Sequence, residues 1–214
     1  MKYPVIIFDW DGTLMDSIDK IVACVKQAAV ISELEVPCAD AIRNIIGLSL
    51  DKAMAILFPS HSVQQQAALV IAYRQQYLEL NHQPTPFYPG IKEWLLSLKM
   101  QGYTLAVATG KGRNGLNRMM DKYGVNDLFA VTYCADETNS KPDPLMLNKI
   151  LADLNVPAEQ ALMIGDSSYD LEMANNANIA CVGVTYGVHS QQILSKYGPI
   201  AILSDLPQQL GNYI

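Results

Sequence analysis

Short apolar runs that stop at polar loops alternate along most of this chain with stretches of helical spacing. "VIIF" at 5–8, "YTLAVATG" at 103–110, "AVTYC" at 130–134, "ALMIGD" at 161–166, "IACVGV" at 179–184 and a weaker "IAIL" at 200–203 each suit a buried strand. Between them, Ile91, Trp94, Leu95 and Leu98 recur as on one helix face, and helical patterns return from Arg113 to Tyr123, from Pro144 to Leu154 and after Asp166. Such alternation implies a parallel sheet with helices on both faces. It is broken once. Between Met15 and Gln83 no segment reads as a strand, and helical patterns run from a Ser17 cap, from Ala39 to Ile46, from Leu50 to Leu57 and from Gln64 to about Leu80. The Pro-rich stretch "HQPTPFYPG" at 82–90 reads as a hinge back to the sheet. The expectation is an α/β core formed by residues 1–15 and 84–214, interrupted by an all-helical subdomain at 16–83.

In an open α/β sheet, ligands bind outside the carboxyl ends of the strands. The first strand ends in Asp9 and Asp11. "YTLAVATG" ends in Thr109 and Gly110, followed by Lys111, and "ALMIGD" ends in Asp166, with Asp170 four residues on. Between the last two lies "SKPDP", which carries Lys141. Each residue alone is an ordinary loop or cap residue. Together, at the ends of strands of one sheet, they form a site. Crowded carboxylates repel one another and shift upward in pKa, and a divalent cation removes that penalty. An all-oxygen ligand set suits Mg²⁺. A metal beside a free carboxylate, a hydroxyl, a lysine and a backbone N–H describes a phosphate site. Asp9 is placed to attack phosphorus, Asp11 to move the proton, Thr109 and the Gly110 N–H to hold phosphoryl oxygens, and Lys141 to neutralise charge.

The 214 residues suffice for one large domain or a core with an insert; half are hydrophobic and 17% charged, which excludes disorder. A net charge of -6 disfavours a nucleic-acid partner. Cys24, Cys38, Cys134 and Cys181 are scattered without CxxC spacing, and with only His61, His82 and His189 no zinc motif forms. No signal-peptide pattern and no membrane-length apolar window is found, so a cytoplasmic protein without a membrane partner is expected.

The set "DWDGT", "ATGK", "SKPDP" and "GDSSYD" resembles, in order and spacing, the four motifs of the haloacid dehalogenase superfamily, over essentially the whole chain. The resemblance is to the phosphoglycolate phosphatase-like branch, with a helical cap after the first motif and a Rossmann-like core. It implies that Asp9 is the nucleophile and Asp11 the acid/base. It also implies that Asp9, the Asp11 backbone carbonyl and Asp166 bind Mg²⁺, with Asp170 supporting the ion directly or through water, and that Thr109 and Lys141 bind phosphate. Gly110 stands where this motif often has Asn, so an amide side chain is lost while the backbone N–H is kept. Dehalogenases lack an aspartate at the Asp11 position, so Asp11 favours phosphate chemistry.

In the cap, Arg43 in "RNIIGLS" is a candidate for a substrate carboxylate or second phosphate, weighed equally against an exposed helical arginine. The run Lys111, Arg113, Arg118 and Lys122 reads as a solvated helix face, although its start lies near the phosphate loop. Tyr73 and Tyr77, four apart, read as cap packing, and Arg74 has no assigned role. "GKGRNG" lacks P-loop order. The reading is a Mg²⁺-dependent phosphatase of a small phosphate ester such as phosphoglycolate, acting as monomer or homodimer. A mutase of the β-phosphoglucomutase type and a non-catalytic binding protein on the same scaffold are the alternatives.

Overall fold

The computed structural model describes residues 1–80 and 84–214 of the chain. Six parallel strands run in the order β3-β2-β1-β4-β5-β6. They are β1 (Val5–Phe8), β2 (Thr104–Thr109), β3 (Val131–Cys134), β4 (Ala161–Gly165), β5 (Ala180–Val184) and β6 (Ala201–Leu203). β1 is central, with Phe8 opposite Val107 of β2 and Ile164 of β4. The chain fills the β2–β3 side first and then returns to the other side of β1. That reversal opens a crevice beyond the carboxyl ends of β1 and β4, which is where a doubly wound sheet binds ligands.

Both faces of the sheet are buried, which is why its strands read as near-continuous apolar runs. Ile6 and Phe8 join one core cluster with Trp10, Leu95 and Leu116. Val5 and Ile7 join the other with Met146, Leu147 and Met163. Helices α5 (Ile91–Met100) and α6 (Arg113–Tyr123) cover the first face, and α7 (Leu145–Leu154) and α8 (Ser168–Asn176) the second. The Lys141–Pro142 peptide before α7 is cis.

Between β1 and α5 lie α1 (Ile18–Ile31), α2 (Ala39–Arg43), α3 (Leu50–Leu57) and α4 (Val63–Glu79). They bury a core of their own that includes Val25, Ile42, Met54 and Leu69. The two chain crossings pair with one another: Asp16 N–H donates to the Pro86 carbonyl at 2.9 Å, and Tyr88 N–H to that of Leu14 at 3.0 Å. The expected hinge at 82–90 begins with His82 and Gln83, which lie outside the described residues, as does the expected boundary residue 83.

Three local expectations change. The helix expected to reach Ile46 stops at Arg43, because the chain turns toward Gly47, which sits at φ +103°. Ser17 precedes α1 but its hydroxyl makes no cap; it donates to Asp11 instead. The helix expected from Gln64 starts at Val63, capped by Ser62 through a capping box with Gln65. Two short helices, α9 (Gln191–Leu194) and α10 (Leu206–Gln209), carry too few residues to show a periodic signal.

Candidate active site

Strand geometry explains the paired aspartates. Successive side chains leave a strand on opposite sides, and Trp10 turns into the core, fully buried, with its ring 6.0 Å from those of both Phe87 and Phe129. That anchor leaves Asp9 and Asp11 to the crevice. The chain then bends at Gly12, which has φ +89°, a conformation that favours glycine. A side chain there would also overlap the Asp166 carboxylate, 2.8 Å from its carboxyl carbon.

Asp9, Asp166 and Asp170 are all buried, and each places a carboxylate oxygen within 4.8 Å of the others. Lys141 lies among them with no exposed surface. Its ammonium donates to Asp9 Oδ1 at 2.7 Å and Asp170 Oδ1 at 2.6 Å. Asp170 Oδ2 accepts from the Ser167 hydroxyl at 2.7 Å and the Ser167 N–H at 3.1 Å. Asp166 accepts from the Thr13 hydroxyl at 2.7 Å and the Val188 N–H at 2.8 Å. Asp9 Oδ2 accepts no hydrogen bond among the described residues and is left available.

One ammonium faces three carboxylates, and the electrostatics show the imbalance. Burial drives the Asp9 carboxyl well above the usual carboxylate range; Lys141 opposes this, while Asp170 and Asp166 reinforce it. Burial, and then the charge of Asp170, push Asp166 up to about 7 despite its two donors. For Lys141 burial works against the charge, but Asp170 and Asp9 outweigh it and hold the ammonium above its ordinary value.

Asp11 sits apart from this cluster. Lys111 Nζ donates to its Oδ2 at 2.8 Å and Oδ1 at 3.2 Å, and the Ser17 hydroxyl to Oδ1 at 2.8 Å. Lys111 is thus a site residue, not part of a solvated helix face. Burial disfavours its charge, and the Asp11 carboxylate restores it and carries the ammonium above the usual lysine range. Tyr77 of α4 completes the group: its ring lies 4.8 Å from the Lys111 ammonium and 4.4 Å from that of Lys20, and its buried hydroxyl has no partner among the described residues.

These residues open on a cavity of about 410 Å³ between sheet and cap, lined by Asp9, Asp11, Thr109, Gly110 and Lys111 from the core and by Leu48, Tyr73, Arg74 and Tyr77 from the cap. Thr109 Oγ1 accepts the Lys111 N–H at 3.2 Å, which leaves its own proton free to donate. Gly110 has a steric reason as well. A Cβ there would lie 2.6 Å from the Leu48 carbonyl oxygen and nearer still to that of Gly47. The cap loop occupies the space of the missing side chain. Ser49 N–H to Ser140 Oγ at 2.9 Å, Tyr169 hydroxyl to the Asn44 carbonyl at 2.9 Å and Lys52 Nζ to the Lys141 carbonyl at 3.4 Å hold the cap against the core.

Of its two readings, Arg43 takes the exposed one. Its side chain points to Asp19 and Asp40, at 3.3 and 3.5 Å, and it is not among the residues lining the cavity. α2 ends at Arg43, so the chain turns away there and the following residues, Ile45 to Ser49, face the cavity instead. The cap arginine on the cavity is Arg74, and from the basic run Lys111 and Arg118 line it. Arg113 is bound to Glu137 at 2.6 Å and to Thr132. Tyr73 and Tyr77 pack together as expected, 6.0 Å apart, and also form cavity wall. Thr13 and Ser167 had no role in the sequence reading, although each lies inside a quoted motif, and Ser17 was read only as a helix cap.

A family model for haloacid dehalogenase-like hydrolases matches residues 6–184. The chain is 36% identical to the Dickeya dadantii protein described as "Probable phosphatase IndB", covering 97% of this chain and 92% of that one. It is 31% identical to a phosphoglycolate phosphatase of Vibrio cholerae, covering 94% and 92%. A haloacid dehalogenase-like family hydrolase of Streptococcus pneumoniae superposes with a TM-score of 0.85 at 25% identity, over 99% of this chain and 98% of that one. The chain belongs to the haloacid dehalogenase-like hydrolase family. No helix among the described residues is long and apolar enough to cross a membrane.

Proposed function

We propose that the chain is a Mg²⁺-dependent phosphomonoester hydrolase that acts on a small phosphorylated metabolite through an aspartyl-phosphate on Asp9. One observation carries this reading: Asp9 has one oxygen fixed by a buried lysine and the other free of donors, at a cavity also lined by Thr109, Gly110 and Asp11.

The residues fit a divalent cation. Three buried carboxylates converge with a single lysine between them, all donors are oxygens, and burial and mutual repulsion have raised Asp9 and Asp166, a strain that a cation relieves. Asp9, Asp166 and Asp170, with the Asp11 backbone carbonyl, would hold it; Asp170, already accepting from Lys141 and Ser167, has the least capacity left. When bound, the ion supplies positive charge that offsets phosphoryl and carboxylate charge in the transition state.

The chain's own residues do the rest. Lys141 orients Asp9, whose free oxygen attacks phosphorus as the bond to the leaving oxygen breaks. Thr109 hydroxyl and Gly110 N–H donate to the phosphoryl oxygens. A phosphoryl group arriving beside Lys111 draws its ammonium from Asp11 and frees that carboxyl for proton transfer. Asp11 takes the proton that a monoanionic phosphoester brings and passes it to the departing alkoxide; it then takes one from the water that attacks the aspartyl-phosphate, so Asp9 is regenerated and phosphate leaves. The docked cap excludes bulk water.

Purified protein should release phosphate from a generic phosphomonoester with Mg²⁺, lose that activity in EDTA and regain it when Mg²⁺ is returned. Full turnover in the chelator would dismiss the metal, and no turnover of any ester would dismiss the reading.

A further inference from the structure

We infer that the leaving group of the natural substrate is an uncharged, ring-bearing alcohol with a flat or apolar face, larger than a two-carbon acid. This rests on the phosphomonoesterase reading and narrows its substrate.

The cavity is that of a closed enzyme. The Gly47–Leu48 loop already lies against Gly110, and three hydrogen bonds tie cap to core. Its size is therefore not borrowed from a gap that closure would remove. It measures about 410 Å³. A two-carbon phosphoester has about nine non-hydrogen atoms; even at a water's share of about 30 Å³ each, they fill roughly two-thirds of that space. The volume falls in the range of sites that enclose drug-sized ligands.

The walls argue the same way. Beyond the aspartates, the cap presents Val25, Ile45, Leu48, Met54, Tyr73 and Tyr77. A carboxylate two atoms from the phosphoryl group would meet these side chains and lose its water without gaining a partner. Lys111, the half-buried cation beside the phosphate loop, is held by both oxygens of Asp11 and turns from them to the phosphoryl group, so it is not free for a carboxylate as well. The two guanidinium groups of the lining, those of Arg74 and Arg118, belong to exposed residues and are matched in number by exposed Asp51 and Asp136. Such a rim gives no net attraction to a second anion, which also weighs against a bisphosphate. What the cavity offers is apolar and aromatic contact, and a flat ring against Tyr73 and Tyr77 uses it.

The test compares kcat/KM, with Mg²⁺, for alkyl phosphomonoesters of similar intrinsic reactivity: 2-phenylethyl phosphate and a nucleoside 5′-monophosphate against glycerol 1-phosphate and phosphoglycolate. The ring-bearing esters should exceed the small ones by at least about tenfold, equivalent to about 1.4 kcal/mol. Tyr73→Ala should cut that ratio by about tenfold and Tyr73→Phe should restore it. If the alanine variant fails to fold, the unaltered protein still decides: 2-phenylethanol should inhibit hydrolysis of the small ester competitively, and ethanol should not. Phosphoglycolate hydrolysed as well as or better than the ring-bearing esters overturns the inference and leaves the phosphatase reading standing. Hydrolysis of none of the four removes both.

Discussion

Replacing Gly110 by alanine adds one methyl group where cap and core meet. Gly110 is not at positive φ, so its backbone accepts alanine and only its neighbours object. Those neighbours are main-chain atoms. The new carbon would lie 2.6 Å from the Leu48 carbonyl oxygen, closer than real Cβ contacts come, and nearer still to the Gly47 carbonyl. Either the loop at 47–48 deforms, an overpacking cost of about 1–3 kcal/mol, or the cap lifts. Lifting loses the bonds from Ser49 to Ser140, from Tyr169 to Asn44 and from Lys52 to Lys141, at about 1 kcal/mol each. Both routes disfavour the closed state by similar amounts, so kcat/KM should fall roughly 5- to 150-fold. The sheet is untouched, and the thermal midpoint should move little. Hydrogen exchange at the Ser49 amide, which donates to Ser140 Oγ, reports the cap directly and should quicken. Wild-type kcat/KM with unchanged Ser49 protection would refute the idea that glycine is there to seat the cap. Gly110→Asn, which restores the residue common in this motif, should behave like alanine or worse.

Asp11→Asn should slow phosphorylation far less with a nitrophenyl ester than with an alkyl ester, while dephosphorylation stays slow with both; equal losses in the first step would remove Asp11 as the leaving-group acid. Burial gives Asp9 and Asp166 raised carboxyls, so the metal-free folded chain retains protons that the unfolded chain has lost. Stability from Asp166 is complete below its ordinary value near 3.8 and is lost as pH rises through about 7. Mg²⁺ should therefore raise Tm more at pH 8 than at pH 5, and an equal or reversed effect in a melting series would contradict the metal site. Arg43→Ala should change kcat/KM less than about twofold, because its partners Asp19 and Asp40 are exposed and such pairs contribute little; a loss confined to one substrate would return Arg43 to the cavity.

Most elements were legible because β1, β2, β4 and β5 are almost wholly buried and stop at loops; the observed β1 has the expected bounds of Val5 and Phe8. The acidic cluster was legible because Asp9, Asp166 and Asp170 each follow a strand that the topology brings to one edge. The supporting hydroxyls were not. Thr13, Ser17 and Ser167 act through hydrogen bonds set by local turns, and Ser17 gives its hydroxyl to Asp11 where a helix cap was the obvious local use. Arg43 stayed open between cavity and surface for a related reason: helical spacing says which residues share a face, but not where a short helix ends or which way the next turn points the chain. Lys111 read as surface because charge runs usually are, and its partner Asp11 is a hundred residues away in sequence. The role of Gly110 in seating the cap depends on a contact between two subdomains, which no local pattern encodes.

Covalent trapping tests the central claim most directly. Protein mixed with Mg²⁺ and a nitrophenyl ester, quenched in acid within the first turnover and mapped by mass spectrometry, should carry phosphate on the peptide containing Asp9. Asp11→Asn should accumulate it, because the water that removes it lacks a base. Asp9→Asn should carry none and should not turn over. Phosphate on another residue, or turnover in Asp9→Asn, would contradict the account.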